Sequence, residues 1–184
     1  GIICLTILSL IYTGNWITNQ AHKPVEPYKQ VGKGVESQWD SNSNNLIVFY
    51  PGFIQGAVNY YKKSPSEAQI EVWDTNNIEQ FEKEINDKIT PTDLEQKNFN
   101  LFLIVLNENL EGYNNLSSNL LSVLESKISK SLKIHLFLIN GHDLYFTKKF
   151  DSSDKFLEVS ESKFGKPSSY QNFGSYIISK YELH

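Results

Sequence analysis

Arginine and methionine are absent from this 184-residue chain, and cysteine occurs once, at Cys4. Without arginine there is no guanidinium fork to grip phosphate or carboxylate in a bidentate manner. All 17 basic side chains are lysines and the net charge is −4, which argues against an extended nucleic-acid surface. A single cysteine excludes an internal disulfide and any cysteine-based metal cluster. With no methionine, the chain is expected to have lost an initiator or to continue upstream of Gly1. The frequent Asn, Lys, Ile, Tyr and Ser beside these gaps fit mutational bias in an AT-rich genome.

Several catalytic signatures are missing as well. No G-x-x-x-x-G-K-[ST] occurs, which removes a P-loop nucleotidase. No G-x-S-x-G occurs and no serine stands at a strand-to-helix turn, which removes the nucleophile elbow of the α/β-hydrolases.

The N-terminus is apolar. Ile2 to Tyr12 is nearly continuous, the bias extends to Trp16-Ile17, and no charge appears before Lys23. A run of about 16 residues is shorter than the roughly 20 that span a bilayer, and has the size of a signal-peptide apolar region. Residues 1–18 are therefore read as a membrane anchor or signal segment. Membrane contact is expected through residues 2–17, with the following domain on the non-cytoplasmic side. Residues 19–45 carry Pro24, Pro27, Gly32 and Gly34 and read as a linker or irregular lead-in, with one short strand near Lys29 to Val35.

Residues 46–184 read as a single α/β domain. Leu46 to Tyr50 is an unbroken apolar run into Pro51-Gly52, followed by a helix near Phe53 to Lys63 with Phe53, Ala57 and Tyr60/Tyr61 on one face. Gln69 to Trp73 alternates as a second strand, with Ile70 and Val72 inward. A helix from Ile78 to about Ile89 follows, then a short one from Thr90 to Lys97. Phe99 to Leu106 is a third strand, Leu116 to Leu132 a long helix, and Ile134 to Ile139 a fourth strand. Leu144 to Phe150, Phe156 to Ser160 and Ser175 to Tyr181 read as antiparallel strands closing the sheet. Strand-helix alternation at this spacing implies parallel pairing with right-handed crossovers. The expected fold is a three-layer α/β sandwich with a mostly parallel, Rossmann- or flavodoxin-like sheet plus C-terminal antiparallel strands.

In such sheets ligands bind beyond the carboxyl ends of the strands. Those ends carry Tyr50-Pro51-Gly52, Asp74-Thr75-Asn76, Asn107-Glu108-Asn109 and Asn140-Gly141-His142-Asp143. Asp74, Glu108, His142 and Asp143 are the candidate catalytic residues. Were their loops to converge, so oxygen-rich a set would suit Mg or Mn better than Zn, although no metal site is assigned. Gly52, Gly56 and Asp74 are the candidate cofactor-binding residues. Asp74 follows Gly52 at about the 20 residues expected of a ribose-binding acid, but the central glycine of a pyrophosphate turn is missing. No cofactor is identified. His135, between Ile134 and Leu136, reads as a structural core histidine.

With no catalytic constellation recognisable, the expected function is a membrane-tethered or exported, non-catalytic accessory or interaction subunit. Its partners would be other protein subunits. The aromatic C-terminal region, from Tyr145 to Tyr181, offers contact surface unless it is sheet core. The alternative is an enzyme or small-ligand domain, binding a nucleotide or sugar-nucleotide through the strand-end loops.

Overall fold

The computed structural model describes residues 25–62, 68–75, 78–88, 98–125, 132–139, 153–173 and 176–183. In chain order these form α1 (Val25–Gln38), β1 (Asn44–Tyr50), α2 (Ile54–Tyr61), β2 (Gln69–Glu71), α3 (Ile78–Lys88), β3 (Phe99–Leu106), α4 (Leu110–Glu125), β4 (Leu132–Ile139), α5 (Ser153–Phe164), β5 (Ser169–Asn172) and β6 (Tyr176–Leu183). The strands make one six-stranded mixed sheet in the order β2-β1-β3-β4-β6-β5. The first four are parallel to one another, and β6 runs antiparallel to both β4 and β5. The α/β class and the antiparallel C-terminal strands expected from the sequence are therefore present.

The apolar runs of β1, β3 and β4 explain their central place. Every residue of β3 is buried, as suits a parallel strand covered on both faces. Alternate side chains feed two separate clusters. Leu46, Val48, Leu101, Leu103, Val105, Ile134, Leu136 and Leu138 pack with Ile85 of α3, Leu116, Leu120 and Leu124 of α4, and Phe156 and Phe164 of α5. Ile47, Phe49, Phe102, Ile104, Leu106, Phe137 and Ile139 pack with Tyr28, Val31 and Val35 of α1 and Ile54 and Val58 of α2. Each fully buried aliphatic or aromatic side chain stabilises the fold by about 1.5–3 kcal/mol.

Two buried polar features cross this core. Asn100 Nδ2 donates to Asn45 Oδ1 at 3.1 Å, and Asn45 Nδ2 donates to the Asp40 and Ser43 carbonyls at 2.7 and 3.0 Å. Between α4 and α5, Ser160 Oγ donates to the Phe156 carbonyl at 2.7 Å. Its proton is thereby committed, so the buried Tyr113 hydroxyl donates to Ser160 Oγ, also at 2.7 Å.

Several expectations are corrected. Residues 25–38 form a helix, where a linker with a short strand near 29–35 was expected. Its glycines are close-approach positions instead of helix breakers: a Cβ on Gly34 would stand 2.7 Å from Phe137 Cε1, and one on Gly32 would stand 3.2 Å from Tyr61 Cβ. Pro27 lies in the first turn, where a missing N–H is tolerated. Residues 153–164 form α5, so Phe156 to Ser160 is helical and not a strand. Phe156, Ser160 and Phe164 are buried at helical spacing. In α2 the buried residues are Ile54 and Val58, while Phe53 and Tyr60 are exposed, which rotates the expected apolar face. The strand expected at 144–150, the helix at 90–97 and the apolar segment at 2–17 lie outside the described residues. Among the described residues no helix is long and apolar enough to cross a membrane.

Candidate functional site at the carboxyl ends of the strands

The strand order reverses at β1, which has β2 on one side and β3 on the other. The connections that follow β1 and β3 therefore leave in opposite directions above the carboxyl ends, the place where open α/β sheets bind ligands. Three described turns surround it. The first follows β1 and contains the cis peptide Tyr50–Pro51. The second follows β2, where a bond from Val72 N–H to the Phe49 carbonyl at 2.9 Å and one from Gly52 N–H to the Val72 carbonyl at 2.8 Å extend the ladder past Glu71. The third, Asn107 to Asn109, leads into α4.

Tyr50 lies at the centre. It is buried, and that burial pushes its hydroxyl pKa up; Thr75 and Asn109 hydrogen-bond to it and oppose the shift, while the Asp74 carboxylate reinforces it. Asn109 also starts α4, its Oδ1 accepting the Gly112 N–H at 2.9 Å, which satisfies a donor at the helix N-terminus. Gly112 lies against the Tyr50 hydroxyl so closely that a Cβ would overlap it. Asn119 of α4 donates to the Thr75 carbonyl at 3.2 Å and ties the second turn to the helix.

Of the candidate catalytic residues, Asp74 and Glu108 lie among the described residues. Asp74 and Glu108 both face solvent. Among the described residues no three of His, Cys, Asp and Glu come together so as to hold a metal ion. His142 and Asp143 lie outside the described residues. Gly52 is buried beneath Trp73, and its N–H is already bonded to Val72. Gly56 stands in α2 with open space around it.

No protein-family model and no curated protein matches the chain. The site is therefore argued from its own residues. What the turns after β1 and β2 present to solvent is aromatic. Phe53 is 55% exposed and Trp73 65% exposed, with ring centroids 6.4 Å apart and planes tilted by 50°. The Trp73 indole N–H donates to a Glu71 carboxylate oxygen at 3.3 Å. The sequence marks Trp73 as the outward residue after Val72, and groups Phe53 with Ala57 and Tyr60/Tyr61 on one face of the helix. Of the C-terminal aromatics expected as contact surface, among the described residues Phe156, Phe164, Tyr176 and Tyr181 are buried, whereas Tyr170 and Phe173 are exposed; Tyr145, Phe146 and Phe150 lie outside the described residues.

A Cβ on Gly52 would stand 2.6 Å from the indole and 3.1 Å from Glu71 Cβ. Gly52→Ala is expected to swing the Trp73 ring away from Phe53, because the indole is free on its solvent side. Stability should fall by about 1 kcal/mol or less. A shifted Trp73 indole NMR resonance with a nearly unchanged unfolding midpoint is the check.

His135 behaves as a core residue. Its ring stacks on Phe102, with centroids 4.8 Å apart and planes 14° from parallel, and Phe102 in turn stacks on Trp39 at 5.7 Å. Burial lowers its pKa to about 4, helped by Lys180 and Lys133 and opposed by Glu182. At the end of the same column Lys62 Nζ stands 5.2 Å from the Trp39 ring centroid. Burial depresses its pKa, and Glu36 partly offsets this.

Proposed function

We propose that this chain is a non-catalytic accessory or interaction subunit, a membrane-tethered or exported α/β domain that docks on other proteins of an assembly. The observation that carries this reading is the exposed Phe53–Trp73 pair. Adjacent exposed large aromatics are unusual on a surface that meets only water, and such residues are enriched at interfaces. Apolar residues 2–17 supply the tether in this reading. The two apolar faces of the sheet, with helices contributing to each cluster, support a three-layer, Rossmann- or flavodoxin-like arrangement.

The test is affinity capture with the full chain from extracts of its source, alongside Phe53→Ser/Trp73→Ser. A stoichiometric partner retained by the wild type and lost by a variant with an unchanged circular dichroism spectrum is the expected result. Monomeric protein without a stoichiometric partner would overturn the proposal. A second reading, small-ligand binding, is favoured by one observation: Tyr50, Thr75 and Asn109 meet where the strand order reverses.

A further inference from the structure

We infer that the surface formed by Phe53, Trp73 and the neighbouring strand-end turns docks a cationic peptide segment, one bearing lysine or arginine side chains. This rests on the interaction reading above and specifies the chemistry of the partner. Two independent features coincide at this carboxyl end of the sheet. The first is the tilted aromatic pair, whose ring faces attract ammonium and guanidinium groups. The second is charge. Glu71 ends β2, Asp74 follows it, and Glu108 and Glu111 stand at the start of α4 on the same end of the sheet, all solvent-facing, and between Tyr50 and Phe53, Glu71 and Thr75, and Asn107 and Gly112 there is no lysine.

That combination selects among occupants. A phosphate-bearing ligand or an anionic lipid headgroup would meet four like charges and no cation on these turns. An aliphatic segment would fit the rings but leave the carboxylates unused. A basic side chain uses both: its alkyl stem lies on the rings while its charged end reaches the acids. The indole is already placed for this, since its bond to Glu71 at 3.3 Å holds a carboxylate beside the ring. The missing side chain at Gly52 lets the indole lie close to the backbone of the first turn.

The experiment follows the Trp73 indole resonance of the isotopically labelled full chain. It is titrated with a short Gly-Lys repeat peptide and with a Gly-Glu peptide of equal length. The lysine peptide should shift the resonance saturably, with affinity falling at least threefold between 50 and 200 mM salt. Glu71→Gln/Asp74→Asn should weaken binding at least fivefold, and Phe53→Ser likewise, while Glu161→Gln on α5 should leave it unchanged. Equal binding of the glutamate peptide, or no saturable shift, would overturn the inference. So would a shift that depends on protein concentration without peptide, which would assign the surface to a second copy. If the lysine peptide fails while Phe53→Ser/Trp73→Ser still loses a captured partner, the interaction reading survives and only its cationic specification falls. If the peptide binds and no partner is captured, the reverse holds.

Discussion

Unfolding should become progressively easier as the pH is lowered from 6.5 towards 4, and His135→Phe should flatten that dependence. His135 has a folded-state pKa of about 4 against an ordinary value of 6.5. Between those values the unfolded chain binds the proton and the folded chain does not, so stability rises with pH. The contribution is fully present above about pH 6.5 and is lost as the pH falls towards 4. Its slope is at most about 1.4 kcal/mol per pH unit and its total on the order of 3 kcal/mol. The physical cause is burial between Phe102 and the edge of β6, with Lys180 and Lys133 nearby and only Glu182 favouring the cation. Phenylalanine keeps the stacked ring and removes the proton site. Urea unfolding at pH 5 and pH 7 for both proteins is the measurement, and an undiminished pH difference in the variant would refute the assignment.

Gly112→Ala should destabilise the protein by about 2–3 kcal/mol, although helix propensity alone predicts the opposite sign. Gly112 stands in the first turn of α4, where alanine is intrinsically better by up to about 1 kcal/mol. The added Cβ, however, would collide with the Tyr50 hydroxyl and approach Asn109 Nδ2 to 2.9 Å. Overpacking of this kind costs about 1–3 kcal/mol. Tyr50 cannot easily yield, because its ring is buried and its hydroxyl is bonded to Thr75 and Asn109. Sterics therefore outweigh propensity here. The contrast is with Gly52, whose neighbour Trp73 has solvent to move into. Denaturant midpoints of Gly112→Ala and Gly52→Ala, measured together, check the ranking; equal midpoints would show that Tyr50 is not held as described.

How much of this was legible in the sequence depended on whether a local pattern had a single meaning. The apolar runs of β1, β3 and β4 could only be buried strands, and their order with the intervening helices pointed to parallel pairing. Residues 25–38 were misread because glycine and proline signal chain breaks far more often than close helix packing; only Phe137 and Tyr61, distant in sequence, reveal why Gly34 and Gly32 are small. At Phe156 to Ser160 an aromatic and β-branched composition outweighed the helical spacing that continues to Phe164. Asp74 and Glu108 were found as acids at strand ends, which needs only local reading. The contact of Gly112 with Tyr50 was not legible, since it depends on α4 folding back over the end of β1. Phe53 is exposed because the helix after β1 turns its buried face on Ile54 and Val58.

Strands that are apolar on both faces carry no inside-outside alternation, and so lack the usual pattern that tells one alignment of neighbours from the next. In β3 the sole polar residue is Asn100, and its partner across the ladder in β1 is Asn45. Sliding β3 by one residue so that Asn100 faced Leu46 would break its bond to Asn45 and leave its amide against hydrocarbon. Apart from Asn44 opposite Phe99, every other pairing along the same two strands would exchange one apolar or aromatic side chain for another. The Asn45–Asn100 bond thus acts as a positional key, fixing which residue of β1 faces which of β3 and hence how Tyr50, at the far end, comes to lie beneath Gly112.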